Sequence, residues 1–422
     1  MTQSTASEGH NSIGLRSREA FARAQRVFPD GTTRVPIDRD PIPRYVDRGE
    51  GAYVFDVDGR RFLDLNGNFA TLIHGHSFEP VIAAVTSQLR SGTCLANPTL
   101  SEIDLAELIC VRAVEALRFV NTRTEAVMIA IKAARAFSSR SAIAKIEGAY
   151  HGSYDRAEIN LASGPKNWGP TDMPATTSSY RGAPVSVLDE VIPLRFNQPS
   201  VAEQFIEANA SKLGAILIDM MPGRAGYITP TPEFLGAIQR VARKHDILII
   251  ADDVLNFRLG YEGSAARYGL AADIFTFGKI IGGDLPIGAI GGRRDVMSVF
   301  EASKGRPAVP HGGAFSANPL SMCAGPASMK ALDHAPFAHS RPSATDFVTS
   351  CELRSPGAEC PSRYRERDLS SGSIRSLCFR RSSVKPWRRR RRLACCWSSR
   401  EHSPGMAGAS RRPREQRATH MA

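Results

Sequence analysis

Residues 276–288, Thr-Phe-Gly-Lys-Ile-Ile-Gly-Gly-Asp-Leu-Pro-Ile-Gly, hold one amine, Lys279, among glycines. Glycines let backbone approach a bulky ligand and take dihedrals closed to other residues. A lysine in such a loop forms a Schiff base with a carbonyl compound once desolvation or a neighbouring cation lowers its pKa. Taken alone, the same residue also reads as an ordinary surface lysine. Upstream, the apolar run Ile247–Ala251 ends in Asp252 and Asp253. Open parallel sheets bind ligands at the carboxyl ends of their strands, where such a carboxylate faces the ligand. The plainer alternative is a solvated acid capping the next turn. Asn121-Thr122-Arg123-Thr124-Glu125 opens a helix, whose free N–H groups, dipole and hydroxyls suit an anion, although the same residues also serve as a simple cap. Glu147–Gly152 sets Tyr150 and His151 between glycines, where a ring either stacks on a planar ligand or closes over the core.

The elements that must position these groups alternate between strand and helix patterns. An amphipathic helix is expected over Ser17–Val27 and a hairpin over Tyr53–Leu65, turning at Asp58-Gly59. Helical apolar spacing covers 78–91, 101–117 and the Ala- and Ile-rich stretch up to Ala136. Short apolar strands are expected at Ala142–Ile146, Ala215–Ile218, Ile247–Ala251 and Ile274–Phe277, with a helix over Glu233–Lys244, while 162–193 shows no period. Buried strands alternating with helices imply an α/β chain built on a parallel sheet. No apolar run reaches the length of a membrane span. The polar N-terminus lacks a signal core, so a cytoplasmic location is expected.

Anion-binding helix start, aromatic loop, strand-end acid and glycine-flanked lysine occur in that order. Their combination resembles the class III, fold type I aminotransferases that depend on pyridoxal phosphate (PLP), in particular the branch of glutamate-1-semialdehyde aminomutase. The resemblance runs from Pro29 to Leu332 and includes Asp56-Val57-Asp58-Gly59, Gly75-His76, Phe119–Ala126, Glu147–Gly152, Ile250–Gly260 and His311–Pro319. It implies a large PLP-binding domain over 76–332, a mainly parallel sheet flanked by helices. Residues 1–75 would contribute to a small domain, incomplete here, and 333–422 would form a C-terminal segment. It also implies roles. Lys279 would hold PLP as a Schiff base and move the substrate proton, while Asp252 would pair with the pyridinium nitrogen. Val254 and Tyr150 would cover the two ring faces, with His151 beside them. Thr122, the Arg123 backbone and Thr124 would cradle the phosphate. Residues 312–314 would reach the phosphate of a second subunit, so a homodimer is implied. The reaction would pass an amino group from an amino acid or amine donor to a carbonyl acceptor, with glutamate-1-semialdehyde isomerisation as the alternative. Arg34 is a candidate for holding a substrate carboxylate, or else a surface arginine.

Three features depart from the family pattern and raise the alternative of an inactive, truncated relative. Arg123 stands where glycine is usual, and its guanidinium either pairs with phosphate or blocks the pocket. Ala314 stands where threonine is usual, a lost hydrogen bond to a charged group worth roughly 1.5–3 kcal/mol. The third is the tail. Of 54 basic and 42 acidic residues, 19 and 7 lie in 340–422, so the whole net charge of +12 sits there and 1–339 are neutral. Five of the eight cysteines (Cys351, Cys360, Cys378, Cys395 and Cys396) and the run Arg388–Arg392 lie there too. This composition predicts disorder from about residue 340, and the coincident jumps suggest a shifted reading frame near His339. The arginine run attracts phosphate, but the neutral folded part and the absence of a structured motif argue against a nucleic-acid binder. No cysteine spacing matches a zinc site; Cys94, Cys110 and Cys323 read as free thiols.

Overall fold

The structure, a computed structural model, describes residues 13–337 apart from 40, 304 and 336. The basic tail, its cysteines and the suspected frame change therefore lie outside the described residues. Near the N-terminus, a helix (Leu15–Ala24) precedes a three-stranded antiparallel sheet of β1 (Val46–Glu50), β2 (Tyr53–Asp56) and β3 (Arg61–Leu63). The expected hairpin at Asp58-Gly59 joins β2 to β3. Buried Asp56 fixes that turn by accepting from the amides of Asp58 and Arg60 and pairing with Arg44 at 2.9 Å.

The main sheet has seven strands: β4 (Ala116–Val120), β5 (Ala142–Ile146), β6 (Val191–Leu194), β7 (Leu213–Ile218), β8 (Leu248–Asp252), β9 (Ile274–Gly278) and β10 (Gly288–Gly292). Their spatial order is β4-β10-β9-β8-β7-β5-β6. Neighbours from β9 to β6 run parallel, and β10 runs antiparallel to both β9 and β4. Helical spacing read through residue 117 overran: the helix is Leu100–Ala113, and Val114 is already extended before β4 begins. Apolar residues alone do not mark that boundary, because both elements bury them. β6 closes a stretch that showed no period, and the glycine-rich β10 carries no strand signal of its own.

Alternation along each strand sorts its side chains between two layers. Ile216 and Ile218 of β7 pack with the helices Leu100–Ala113 and Pro232–Lys244, whereas Ala215 and Leu217 face the helix Arg123–Ser138. Ile249 and Ala251 of β8 join the first layer, and Leu248 and Ile250 the second. The helix Pro232–Lys244 begins with Thr231, whose hydroxyl accepts from the Phe234 amide, and with proline in its first turn. It buries Phe234, Leu235, Ile238 and Val241 at helical spacing, each worth about 1.5–3 kcal/mol. Buried Arg112 ties the end of its helix to the C-terminal end of helix Pro319–Met329 and the turn after it, donating to the Met329 and Leu332 carbonyls at 3.0 and 2.9 Å.

Candidate functional site

Two carboxylates meet at the carboxyl edge of the sheet because of strand register. Leu217 of β7 is aligned with Ile250 of β8, so two residues further on Asp219 stands beside Asp252. The same alternation turns both towards the layer of helix Arg123–Ser138. Asp219 and Asp252 are buried, 2% and 1% exposed. Two like charges so placed repel one another, and the first residue of the helix answers them. The Arg123 guanidinium reaches Asp252 Oδ2 from Nη2 at 2.5 Å and from Nε at 3.1 Å, and Asp219 Oδ2 from Nη2 at 3.4 Å.

Every lone-pair direction of Asp252 is used. Oδ2 accepts from Arg123 and from His151 Nδ1 at 2.6 Å. Oδ1 accepts from the Thr276 hydroxyl at 3.1 Å and the Val254 amide at 3.2 Å. Burial works against the Asp252 charge, but Arg123 and His151 outweigh it and hold the carboxyl well below the usual range. Burial and the neighbouring Asp252 charge push Asp219 up to about 6, although Asp219 also accepts from the Met221 amide and Asn256. His151 is fully buried, and that burial lowers its pKa to about 4. Its neutral ring carries the proton on Nδ1 to reach Asp252, leaving Nε2 without a partner among the described residues.

Lys279 follows β9 directly and takes φ +54°, in the left-handed region. That conformation costs a non-glycine residue roughly 1–2 kcal/mol, strain of the kind found where a side chain must be aimed. Burial, and then the Arg123 charge, bring its pKa down to about 8. Val254 is 1% exposed and lies under Gly278, where an added β-carbon would stand 3.1 Å from Val254 Cγ1. The Arg123 guanidinium carbon sits 5.0 Å from the centroid of the Tyr150 ring.

The helix start has the expected form. Thr122 caps it, its hydroxyl accepting from the Glu125 amide at 3.2 Å, and Glu125 in turn accepts from the Asn121 amide. The Arg123 and Thr124 amides are first-turn N–H groups, which lack a helical acceptor. Thr124 Oγ1 accepts from the Ser153 amide at 3.0 Å. Gly152 permits this approach: at φ +93°, a β-carbon there would lie 2.7 Å from Thr124 Oγ1 and 2.8 Å from its Cα. Two other candidates make no hydrogen bond to Asp252 or Lys279 among the described residues. Ala314 is exposed, and exposed Arg34 donates to Asn68 Oδ1 at 2.9 Å.

Asp219 and Lys145 escaped the sequence reading, and Asn256 and Thr276 lie inside motifs it named without a role of their own. Asp219 carries the same signature as Asp252, an acid ending an apolar strand. Lys145 is wholly buried in β5 and donates to the carbonyls of Ile159, Ile146 and Ala149 at 2.6, 3.3 and 3.4 Å, which pins the loop bearing Tyr150 and His151. Nothing in its sequence context sets it apart.

An ionised strand-end carboxylate, open amides at a helix start, a nearby aromatic ring and a lysine of lowered pKa suit a planar, cationic-nitrogen, phosphate-bearing cofactor. One side chain stands in the way. The Arg123 guanidinium occupies the carboxylate that a pyridinium nitrogen would need, so the donor set fits the cofactor only with Arg123 turned aside.

Comparison with known proteins agrees with this chemistry. The family model for class-III aminotransferases matches residues 35–351. A glutamate-1-semialdehyde 2,1-aminomutase of Roseiflexus castenholzii is 38% identical over 330 residues, covering 75% of this chain and 72% of the relative. Among solved structures, an omega-transaminase from Sphaerobacter thermophilus is 40% identical with a TM-score of 0.78, covering 81% of this chain and 79% of that one. A transaminase with PLP bound is 37% identical with a TM-score of 0.75, over 81% and 80%. From the motifs, the sheet and these relatives together, the chain belongs to the class-III aminotransferases, enzymes whose cofactor is pyridoxal phosphate.

Proposed function

We propose that this chain transfers an amino group between an amino acid or amine donor and a carbonyl acceptor, with Lys279 as the residue that carries PLP and moves the substrate proton. The observation that carries the reading is Lys279 itself. It is held in a strained conformation at the sheet's carboxyl edge, with its pKa near 8, so deprotonation to a nucleophile and base costs little near neutral pH. When bound, PLP supplies an electron sink that makes the substrate Cα proton labile. Asp252 would hold positive charge at the ring nitrogen. Thr276, His151 and the Val254 amide keep that carboxylate aimed. Val254 and Tyr150 would enclose the ring, and Thr122 with the Arg123 and Thr124 amides would take the phosphate.

General transamination is the first reading because an omega-transaminase is similar over four-fifths of the chain. The aminomutase names of curated relatives at 36–38% identity support the second. We place the protein in a homodimer, since apolar Leu95, Leu100, Ile103 and Phe315 are exposed by 48–80% on a single chain and a second copy would cover them. Reconstitution with PLP, borohydride reduction and peptide mapping test the lysine: a reduced cofactor adduct is expected on Lys279. A donor and acceptor panel then separates the two reactions. Lys279→Ala is expected to lower turnover about 10²–10⁴-fold, and full activity in that variant would overturn the assignment.

A further inference from the structure

Arg123 commits its guanidinium to carboxylates. It is the first residue of its helix, with its backbone amide in the first turn, and its side chain reaches Asp252, Asp219 and the face of Tyr150. The guanidinium is planar and cationic, like a protonated pyridine, and it meets Asp252 edge-on through two nitrogens. It packs against one of the ring-covering residues and donates to the carboxylate reserved for the ring nitrogen. The neutralisation is close to complete. With Asp252 Oδ2 engaged by Arg123 and His151, and Oδ1 by Thr276 and Val254, no acceptor remains for an incoming N–H. The guanidinium also answers Asp219, whose repulsion with Asp252 would otherwise be unopposed. About 13% of the Arg123 side chain is exposed, so part of it already reaches solvent.

Resting on the reading of this site as a PLP site, we propose that Arg123 is an internal plug: it occupies the pyridine position, satisfies Asp252 in place of the ring nitrogen, and must leave before the cofactor enters. The chain then binds PLP against a built-in competitor that is present at one copy per site and is never diluted. Affinity is lowered by the fraction of time that Arg123 spends away from Asp252. Because the competition is for the ring position and not the phosphate position, the loss is shared by pyridoxal, which has no phosphate.

Titration of the full apo chain with PLP and, separately, with pyridoxal tests this. Binding is followed by fluorescence quenching and by the borohydride-fixed adduct on Lys279. Circular dichroism establishes that each variant is folded. Arg123→Gly and Arg123→Ala are both expected to bind PLP and pyridoxal at least about 30-fold more tightly than the parent, roughly 2 kcal/mol at 1.4 kcal/mol per tenfold. Unchanged affinities, with the Lys279 adduct still formed, would overturn the plug and leave the PLP site standing. Weaker PLP binding with unchanged pyridoxal binding would assign Arg123 to the phosphate instead. Folded parent and variants that all fail to bind PLP would overturn the PLP site and the plug together.

Discussion

Lys145 offers a direct measurement of what the buried layer beneath the site costs. Its amine is wholly buried, and desolvation brings its pKa from 10.5 down to about 7 despite the nearby Glu147 charge. The folded pKa lies below the unfolded one. Between pH 7 and 10.5 the unfolded chain therefore binds a proton that the folded chain does not, and folding becomes more favourable as pH rises through that window. Below pH 7 both states are charged and the penalty is present in full. From pH 6 to pH 9 the Lys145 contribution should improve by about 2.5–3 kcal/mol, at 1.36 kcal/mol per unit. Lys145→Met keeps the length of the side chain and removes the titration. It also strands the Ile159 carbonyl, which Lys145 reaches at 2.6 Å, at roughly 1–3 kcal/mol independent of pH. Urea unfolding of parent and variant at pH 6, 7, 8 and 9 isolates the difference, because other groups titrate in both. Glu147 is ion-paired with Arg195 in either protein, and His151, lowered to about 4, titrates below the range. The stability of the parent relative to the variant should climb by about 2.5–3 kcal/mol across the series. A difference that stays within about 0.5 kcal/mol would refute the claim that this amine sheds its proton on folding near neutral pH.

Other outcomes are expected from the same structure. Gly152→Ala forces a β-carbon against Thr124 at a positive φ; it should cost about 1–3 kcal/mol and lower the melting temperature, and an unshifted melt would count against the close approach. Thr276→Val removes the hydroxyl donor to Asp252, at about 1.5–3 kcal/mol for a bond to a charged group. Because the lowered pKa of Asp252 keeps it ionised until pH falls well below the usual carboxylate range, that penalty should stay constant from pH 5 to 8 in denaturant titrations. Phe277→Ala empties a fully buried position that meets Phe257 edge-on at 5.0 Å. It should cost about 3–5 kcal/mol, and a loss below about 1 kcal/mol would mean that the core there collapses to fill the space.

Legibility in the sequence followed the physics of each element. Asp252 could be read because an apolar strand ending in an acid is rare enough to notice, and the strands β5, β7, β8 and β9 announced themselves as short apolar runs. Asp219 bears the same mark, but its partnership with Asp252 depends on the register between two strands, which no local pattern encodes. The direction of Arg123 is hidden for the same reason. Its side chain answers a charge pair that exists only once β7 and β8 are aligned. β10 went unseen because Gly288–Gly292 has little β-propensity; glycine is needed there for room, as a β-carbon on Gly288 would stand 2.3 Å from the Thr122 carbonyl oxygen. Lys145 was invisible because a lysine inside an apolar strand reads as a solvent-facing residue until its layer is known.

The antiparallel strand β10 also constrains the order in which the site can be assembled. β4, which delivers the chain to Thr122, has β10 as its neighbour in the sheet, and β10 is the last of the seven strands to appear in the chain. A growing polypeptide can therefore pair β5 through β9, with helix Arg123–Ser138 packed against them, while β4 is still unattached to the sheet. Long-range closures of this kind are slow compared with local ones. A chain halted before Gly288 would hold Asp252, Asp219, Arg123 and Lys279 on β7, β8, β9 and the helix packed against them, but would leave β4, the strand leading into Thr122, without its neighbour in the sheet.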